Sequence, residues 1–446
     1  MGEVSAAPVP AWSGQRPPLA RRCFSSSAVE AAIAAVAADI AEPALAALFT
    51  HCLPNTLDTA VHFTDGARPT TFVVTGDIPA MWLRDAAHQV WPYLRFAATD
   101  EPLRRLLAGV VHQQTDHLLT DPYANAFERE PGLSPWAGDL TDMHPLVHER
   151  KWELDSPCAW MRLSTGYWRA TGDLGVFDAP WRSALRSVLA VLQTEQGAGR
   201  GSAYRFQRRT TNPLDSLPFG GAGWPSAPGA LIRSAFRPSD DACMLPLHVP
   251  SNAFAMSSLR DVVPLLKELD EPTLAMAAAG LSQDLQAALD ALPVPWPYEL
   301  DAFGSALHLD DANLPSLLSL PWLGACTADD PRYLRTRQAV LSAANPFFAQ
   351  GTVASGIGSP HTGPGRIWPM ALIVQALTSR DDAEIRQCLA QLLRCHAGTG
   401  FMHESFDADD ASRFTRPWFA WANSMFGELV LTLAEQRPHL LREVHT

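Results

Sequence analysis

The chain has 446 residues, of which 47% are hydrophobic and 18% are charged, and its formal net charge is −13 at pH 7. This composition excludes wholesale disorder, and the acidic balance argues against a nucleic-acid partner, which normally requires a net positive charge. No apolar run reaches the roughly 20 residues that a membrane-spanning helix needs, so no membrane contact is expected.

The seven cysteines are scattered and form no C-x-x-C pair. Because a chain this long can bury a large core without disulfides, we interpret them as reduced thiols of a cytoplasmic protein. Because the cysteines are not paired at the spacing of a sulfur-ligated zinc site, zinc is not expected. The sequence predicts neither a metal nor another cofactor. Residues 1–25 begin with a proline-rich stretch without the features of a secretory signal, and they are predicted to form a loose tail.

Apolar residues at helical spacing recur along most of the chain. Ser27 and Glu30 match a capping box at the start of the first helix, and residues 70–75 are the best candidate strand. Further helices are predicted at about 103–118, 158–170, 181–193, 253–269, 273–291, 331–344, 367–378, 381–396 and 418–436. No linker of the kind that separates domains interrupts this series. The sequence therefore predicts one all-α domain, residues 26–440, arranged as a toroid of inner and outer helices with a few short β-hairpins in its loops.

Residues 196–230 break the helical pattern with a long irregular stretch rich in glycine, proline and aromatic residues. Segments of this length without regular structure are uncommon in compact domains, and they are often functional. A surface insertion with no part in function is the alternative interpretation of this stretch.

The first candidate site cluster is TGDIPAMWLRD, residues 75–85, at a strand-to-helix junction. Asp77 can cap a helix, and Arg84 can pair with a carboxylate or with the hydroxyls of a ligand. Trp82 offers a flat apolar face of the kind on which sugar rings stack. An internal brace between Arg84 and an aspartate is the alternative interpretation.

The second cluster is FRPSDDAC, residues 236–243, in which Asp240 and Asp241 are adjacent. Like charges held close together raise the pKa of at least one carboxyl, which then stays protonated and can act as an acid. The alternative is that Ser239 or Asp240 simply caps a following helix.

The third cluster centres on Glu404, which lies in MHESF between a glycine-rich turn and an aromatic segment. This setting suits a carboxylate base that activates water, whereas a structural hydrogen bond is the favoured role of the neighbouring His403. A further glycine-rich loop, residues 351–369, carries His361 where a ligand can approach closely. Carboxylates in separate loops and many tryptophans together favour glycoside hydrolysis, in which two carboxyls flank the sugar.

At these clusters the sequence resembles glycoside hydrolase family 125, the exo-acting α-1,6-mannosidases. The resemblance extends in order from about residue 50 to residue 435. It rests on TGDIPAMWLRD (75–85), DPYANAF (121–127), ERKWELDS (149–156), FRPSDDAC (236–243), PSNAFA (250–255), LDDANLPSLLSLPWLG (309–324), ANPFFAQG (344–351), GIGSPHTG (356–363), and MHESFDADD with WFAWAN (402–423).

The resemblance implies an (α/α)6 toroid that removes terminal α-1,6-linked mannose with inversion and without a catalytic metal. It places the general acid in FRPSDD, as Asp240 or the favoured Asp241, and the general base in MHESF, as Glu404. Inversion requires the two carboxyls to stand about 6.5–9.5 Å apart, which leaves room for a water molecule. The similar stretches also supply the candidate substrate-binding residues, which are Asp77, Trp82, Arg84, Asp85, Arg237, Asn252, His361 and His403.

The chain departs from the family pattern at GALIRSAF before the acid motif, at PCAWMRL after ERKWELDS, and at His88. Contacts beyond the terminal mannose, and with them the preferred glycan, therefore stay open. The expected partner is a mannose-containing oligosaccharide bound by a monomer. The alternatives are a toroidal glycosidase for another α-linkage or hexose, and a catalytically silent glycan-binding protein.

Overall fold

The computed structural model describes residues 15–197 and 201–444, which form a mostly helical fold with small sheets. The α-helices in these ranges are α1 (Ser27–Asp39), α2 (Pro43–Cys52), α3 (Asn55–Thr59), α4 (Leu83–Val90), α5 (Glu101–Thr120), α6 (Asp155–Thr171), α7 (Ala179–Glu195), α8 (Pro218–Gly221), α9 (Val249–Glu268), α10 (Pro272–Asp290), α11 (Pro331–Val340), α12 (Pro369–Leu377), α13 (Asp382–Cys395), α14 (Ala420–Gln436) and α15 (Pro438–Leu441). None of the helices in the described ranges combines the length and the hydropathy needed to cross a membrane.

The strands are short and pair in antiparallel fashion. They are β1 (Val61–Thr64), β2 (Thr70–Val73), β3 (Met81–Trp82), β4 (Ala126–Phe127), β5 (Val147–Glu149), β6 (Leu247–His248), β7 (Glu299–Leu300), β8 (Ala306–Leu307), β9 (Phe348–Gln350), β10 (Ser355–Ile357), β11 (Arg366–Ile367), β12 (Ser405–Asp407) and β13 (Phe414–Thr415). Three sheets of three strands, β3–β4–β5, β6–β7–β8 and β11–β12–β13, join loops that lie far apart in sequence.

The long helices that apolar spacing predicted are confirmed, but the predicted first cap is wrong by one residue. Ser26, not Ser27, caps α1, since its side chain accepts a hydrogen bond from the backbone nitrogen of Val29 at 3.2 Å. Glu30 does not complete a capping box; its carboxylate instead pairs with Arg16 at 2.6 Å and with Arg22 at 2.9 Å. The predicted strand at residues 70–75 is confirmed as β2, which pairs with β1.

The helices pack in two layers. The inner helices are almost wholly buried: α4 lies between α6 and α14, α6 also packs on α9, and α14 on α12. Outside them α5 packs on α6, α10 on α9, and α13 on α12. The non-helical segment 316–324 lies against the inner layer. Its Trp322 carbonyl accepts a hydrogen bond from Arg162 of α6 at 3.1 Å, and its Leu323 carbonyl accepts one from Ser257 of α9 at 3.1 Å.

Part of the predicted N-terminal tail, residues 1–25, is attached to the body. Arg16 forms ion pairs with Glu30 and with the buried Asp58 at 2.6 and 2.8 Å. The backbone nitrogens of Cys23 and Phe24 donate to the carbonyls of residues 58 and 57. Residues 16–24 are therefore part of the folded body, whereas residues 1–14 lie outside the described residues. All seven cysteines are free thiols.

The contact between α14 and the end of α2 predicts a measurable effect of a single methyl group. A Cβ at Gly427 would lie 2.7 Å from Leu53 Cδ1 and 2.9 Å from Leu53 Cα, closer than real contacts allow. We expect Gly427→Ala to lower the free energy of unfolding by about 1–3 kcal/mol, as overpacking does. The matched control is Gly280→Ala in α10, where no atom lies within 4 Å. That variant should gain about 0.5–1 kcal/mol from helix propensity. Thermal unfolding followed by circular dichroism measures both, and equal midpoints would contradict the prediction.

Candidate active site

A cavity of about 490 Å³ lies among the loops that the small sheets join. Its volume falls within the roughly 300–1,000 Å³ range of sites for small ligands. Six of the predicted site residues line it: Trp82, Arg84, Asp85, Asp240, His361 and Glu404. Residues from four of the sequence stretches that carry the family resemblance therefore meet on one wall.

Backbone pairing brings the first and third sequence clusters together. Gly76 pairs with Phe419 in an isolated β-bridge, and its φ of +123° is open to glycine alone. A side chain there would collide with the carbonyl oxygen of Trp418, which lies 2.5 Å from the position of a Cβ. The neighbouring Asp77 provides a second link between these two clusters, because its carboxylate accepts a hydrogen bond from Arg416 Nε at 2.8 Å.

Asn125, directly before β4 in the sheet β3–β4–β5, is buried and links residues of the cavity wall without lining the cavity itself. Its backbone carbonyl accepts from Leu83 at 3.0 Å, and its side-chain oxygen accepts from the backbone nitrogen of Lys151 at 3.1 Å. Its amide nitrogen then donates to Asp240 at 2.9 Å. One asparagine therefore connects three of the loops that line the cavity.

Arg84, in the first turn of α4, is 3% exposed and is surrounded by carboxylates. Its Nη1 lies 2.7 Å from Glu153 and 3.0 Å from Asp155, and its Nη2 lies 3.3 Å from Asp85. The alternative of an internal brace is therefore realised, although Arg84 and Asp85 also line the cavity. A single buried cation here faces three acidic side chains.

Asp240 is presented to the cavity by a tight turn. No helix starts between Ser239 and Val249, so the alternative that Ser239 or Asp240 caps a helix is wrong. Instead the backbone nitrogen of Asp240 donates to the carbonyl of Arg237 at 3.0 Å, and the φ of Asp240 is +66°. Positive φ is uncommon outside glycine, and where it occurs the surrounding structure must hold it in place.

Two adjacent aspartates therefore have different environments. Asp240 Oδ1 accepts from Asn125 at 2.9 Å and from Trp82 Nε1 at 3.2 Å on the cavity wall. Asp241 does not line the cavity: its Oδ1 lies 3.3 Å from His361 Nδ1, and its Oδ2 accepts from the Ser239 hydroxyl at 3.3 Å.

Glu404 stands directly before β12 and points its carboxylate to the same cavity. Its Oε1 lies 3.6 Å from Arg416 Nη1. Arg416 adopts a φ of +44°, so the guanidinium that bridges Asp77 and Glu404 is held by an unusual backbone conformation.

Burial and neighbouring charges shift several pKa values in opposite directions. Burial raises the pKa of Asp85 to about 6, although Arg84 favours its ionised form. Burial alone would lower the pKa of His361, but the hydrogen bond and charge of Asp241 outweigh it and raise this pKa to about 9. Burial also raises the pKa of Glu153 well above its ordinary value. For Asp240 the charges of Lys151 and Arg84 outweigh burial and lower the pKa.

Four predicted substrate-binding residues have structural partners instead of a place on the cavity wall. Arg237 Nε donates to Glu299 at 2.5 Å and so fixes the turn that carries Asp240. The Asn252 side chain bonds both backbone groups of Ile232. His403 lies 3.1 Å from the Thr399 hydroxyl and stacks on Phe414, and Asp77 pairs with Arg416.

Residues that the sequence did not single out complete the wall or bond the residues that form it. Lys151 and Arg208 contribute positive charge, and both lie within 3.2 Å of Glu149. The stretch DPYANAF contains Asn125, and ERKWELDS contains Lys151, Glu153 and Asp155. The family resemblance of these two stretches was therefore the sequence signal that could have identified these residues. Arg208 lies in the irregular segment 196–230 and stacks on Trp136 at 3.7 Å, so this segment contributes to the site. Residues 198–200 of that segment lie outside the described residues.

Acidic and histidine side chains do not cluster as metal ligands here. Among the residues that the structure describes, no group of three or more His, Cys, Asp or Glu side chains could hold a metal ion. The carboxylates on the cavity wall are instead paired with arginine and lysine side chains or with amide donors.

The chain is similar to known proteins over nearly its whole length. The family model described as metal-independent alpha-mannosidase (GH125) matches residues 42–431. The meiotically up-regulated gene 157 protein of Schizosaccharomyces pombe is 42% identical over 458 residues, covering 96% of this chain and 90% of that protein.

Solved structures agree with this similarity. A metal-independent alpha-mannosidase of Streptococcus pneumoniae, in a non-productive complex with alpha-1,6-mannobiose, is 40% identical with a TM-score of 0.89, covering 93% of this chain and 100% of that chain. A bacterial glucoamylase complexed with acarbose shares only the fold, at 11% identity and a TM-score of 0.55, covering 89% of this chain and 57% of that chain.

The pairing of His361 with Asp241 predicts a change in titration. We expect Asp241→Asn to lower the pKa of His361 from about 9, because the variant loses the negative charge that favours the protonated ring. NMR titration of the histidine ring protons measures this pKa, and His361→Asn identifies the resonance. The control is Asp77→Asn, which removes a carboxylate that pairs with Arg416 and not with His361, and it should leave the pKa near 9. An unchanged midpoint in Asp241→Asn would contradict the assignment.

Proposed function

Since the chain belongs to glycoside hydrolase family 125, the metal-independent alpha-mannosidases, we propose that it is an inverting exo-α-1,6-mannosidase. The observation that carries this proposal is the pair of carboxyls, Asp240 and Glu404, on the wall of one sugar-sized cavity. The linkage is inferred from the Streptococcus pneumoniae enzyme, which holds alpha-1,6-mannobiose. The substrate is a terminal α-1,6-linked mannose of an oligosaccharide or glycan, and the same relative's connection to N-linked glycans points to that class.

Asp240 is the better candidate for the general acid, in place of the Asp241 that we favoured from sequence. Its carboxyl lines the cavity, whereas that of Asp241 is paired with His361 and does not. Asp241 then has a supporting role, because its charge keeps His361 protonated and able to donate a hydrogen bond to a sugar hydroxyl.

Glu404 acts as the general base in this mechanism. It takes a proton from a water molecule as the water oxygen attacks the anomeric carbon of mannose. The bond between that carbon and the glycosidic oxygen breaks at the same time, and Asp240 donates a proton to the leaving oxygen. Arg84 and Asp85, which line the cavity, are candidates to hold mannose hydroxyls. The inverting outcome requires the two carboxyls to be separated by about 6.5–9.5 Å.

The helix arrangement supports an (α/α)6 toroid in a single domain spanning residues 26–440. The inner series α9–α6–α4–α14–α12 is continuous, and segment 316–324 is hydrogen-bonded to α6 and α9 of that series. The glucoamylase similarity supports the same architecture. The monomeric state stays a prediction. The family description supports catalysis without a metal ion. A cytoplasmic location stays a prediction from cysteine usage.

The stereochemistry and linkage can be tested in one measurement. Proton NMR during hydrolysis of α-1,6-mannobiose should show β-mannose as the first-formed sugar from the non-reducing end, because water attacks from the face opposite the leaving group. The same spectrum should appear after exhaustive chelation. First-formed α-mannose would overturn inversion. Release from α-1,2- or α-1,3-mannobiose but not the 1,6-isomer would overturn the proposed linkage.

Removing either carboxyl should strongly reduce turnover while the sugar still binds. We expect Glu404→Gln and Asp240→Asn to lower kcat on α-1,6-mannobiose by about 10²–10⁴-fold, the usual contribution of a general acid or base. Calorimetry should still detect mannobiose binding to both variants. Glu435→Gln, which removes an exposed carboxylate paired with Arg95, is the matched control and should keep full activity. Comparable activity in Glu404→Gln and the control would overturn the assignment of the base.

A further inference from the structure

The proposed acid meets a buried carboxyl that the mechanism has not used. We propose that Glu153 and Asp240 share one proton, and that Glu153 holds it until Asp240 delivers it to the glycosidic oxygen. Glu153 is then a positioning residue that acts through Asp240. This inference rests on the proposed function, since it gives Asp240 the role of the acid.

Charge balance around Arg84 requires a bound proton. Three carboxyls, those of Asp85, Glu153 and Asp155, lie 2.7–3.3 Å from one guanidinium, and all are buried. Two further cations of the described structure, Lys151 and Arg416, act on this cluster, but both have carboxylate partners of their own. The Lys151 ammonium lies 3.2 Å from Glu149 and 3.4 Å from Asp215, and Arg416 donates to Asp77 at 2.8 Å and lies 3.6 Å from Glu404. Because an unpaired buried charge is costly, the carboxyls around Arg84 cannot all be ionised at little cost.

The hydrogen bonds of Glu153 locate that proton. Its Oε2 accepts from Arg84 Nη1 at 2.7 Å and from the Ser156 hydroxyl at 3.1 Å. Its Oε1 is fully buried, and no donor among the described residues reaches it. The Glu153 carboxyl is nevertheless hydrogen-bonded to the carboxyl of Asp240. Two carboxyl groups can form such a bond only when one of them carries a proton.

Asp240 is arranged as the receiver in this pair. Trp82 Nε1 and Asn125 Nδ2 both donate to its Oδ1. These neutral donors stabilise a carboxylate at Oδ1 and leave Oδ2 as the atom that can take a proton and present it to substrate. Asp240 is therefore built to relay a proton, whereas Glu153 lies deeper, is wholly buried and does not line the cavity.

The surrounding charges favour the same location. Burial and the charges of Asp240 and Asp155 raise the pKa of Glu153, and Arg84 only partly offsets them. Lys151, Arg84 and His361 face Asp240 and lower its pKa against the effect of burial. Asp85 adds a further carboxyl beside Asp240. In the free protein the proton therefore rests on Glu153, and a general acid that would otherwise be ionised has a proton within reach.

The reaction then balances in protons. The O–H bond of Glu153 breaks as an O–H bond forms on Asp240, and that proton moves to the leaving glycosidic oxygen. Glu153 becomes a carboxylate beside Arg84, while Glu404 gains the proton of the attacking water. Once products leave, Glu404 loses its proton to solvent and the Glu153–Asp240 pair takes one up, which restores the starting state.

Infrared spectroscopy tests the shared proton without any substrate. The difference spectrum of the wild type minus Glu153→Gln at pH 7 should contain one protonated-carboxyl band. Asp310, whose pKa is raised to about 8 by burial, is present in both proteins and cancels. The band should also shift in Asp240→Asn, which changes its hydrogen-bond partner. Absence of the band from the difference spectrum would overturn the proposal whether or not the protein is a mannosidase.

Two substrates separate proton supply from general damage. We expect Glu153→Gln to lower kcat/KM on α-1,6-mannobiose by about 10²-fold, since its sugar leaving group needs the proton. Turnover of 2,4-dinitrophenyl α-mannoside, whose leaving group needs no proton, should fall far less. The alkaline limb of the pH profile on mannobiose should move to lower pH, because Asp240 alone beside Lys151 and Arg84 loses its proton more readily.

Asp155→Asn is the matched control for the structural role of Glu153. Asp155 holds the same Arg84 nitrogen but is not hydrogen-bonded to Asp240. Its loss should affect both substrates by the same factor and leave the alkaline limb in place. An equal loss on both substrates in Glu153→Gln, with an unchanged pH profile, would overturn the proposal and leave Glu153 as a partner of Arg84. Wild-type protein that cleaves neither substrate would instead overturn the proposed function, which the infrared result does not depend on.

Discussion

The geometry of the cavity depends on one buried cation, the guanidinium of Arg84. A charge that is 3% exposed is tolerable in a protein interior only when opposite charges and hydrogen bonds surround it. Its partners come from α4 itself and from the ERKWELDS stretch, so the start of α4 and the start of α6 are fixed relative to each other. Arginine suits this role because its planar group stays protonated and presents several donors at once. The helices supply a rigid frame, and this ion cluster fixes the positions of the loops that precede α4 and α6.

The short sheets solve a different problem, which is the placement of catalytic side chains on loops. Carboxylates on mobile loops would lose the geometry that catalysis needs. Asn125 and Glu299 act as anchors: each is buried, and each bonds backbone groups as well as a side chain of the site region. The left-handed residues Asp240 and Arg416 show where this scaffold forces the chain into conformations that would not form alone. Both residues line the cavity.

The sequence predicted the helical frame well because apolar spacing is a local signal, and α5, α6, α9 and α14 follow it closely. It predicted strands poorly, because two-residue strands such as β3 are too short to show alternation. Among site residues, Glu404 and Asp240 could be found from their motifs, but the preference for Asp241 had no local basis. Arg416 and Lys151 were missed because their ion pairs with Asp77 and Asp215 join loops that are distant in sequence. Arg237 and Asn252 look like ligand contacts in a motif, yet their partners, Glu299 and Ile232, fix the backbone instead.

The bridge between Gly76 and Phe419 has a consequence for how the protein is made. These residues come from opposite ends of the chain, and α4 packs against α14, which follows Phe419 directly. A ribosome therefore adds about 340 further residues after Gly76 before the partner of Gly76 has been synthesised. Until then the inner face of α4 lacks its neighbour, and the nascent protein must remain unaggregated with that apolar surface uncovered. Contacts this distant in sequence also slow folding. Enzymatic competence is therefore acquired late, only after the last long helix has left the exit tunnel.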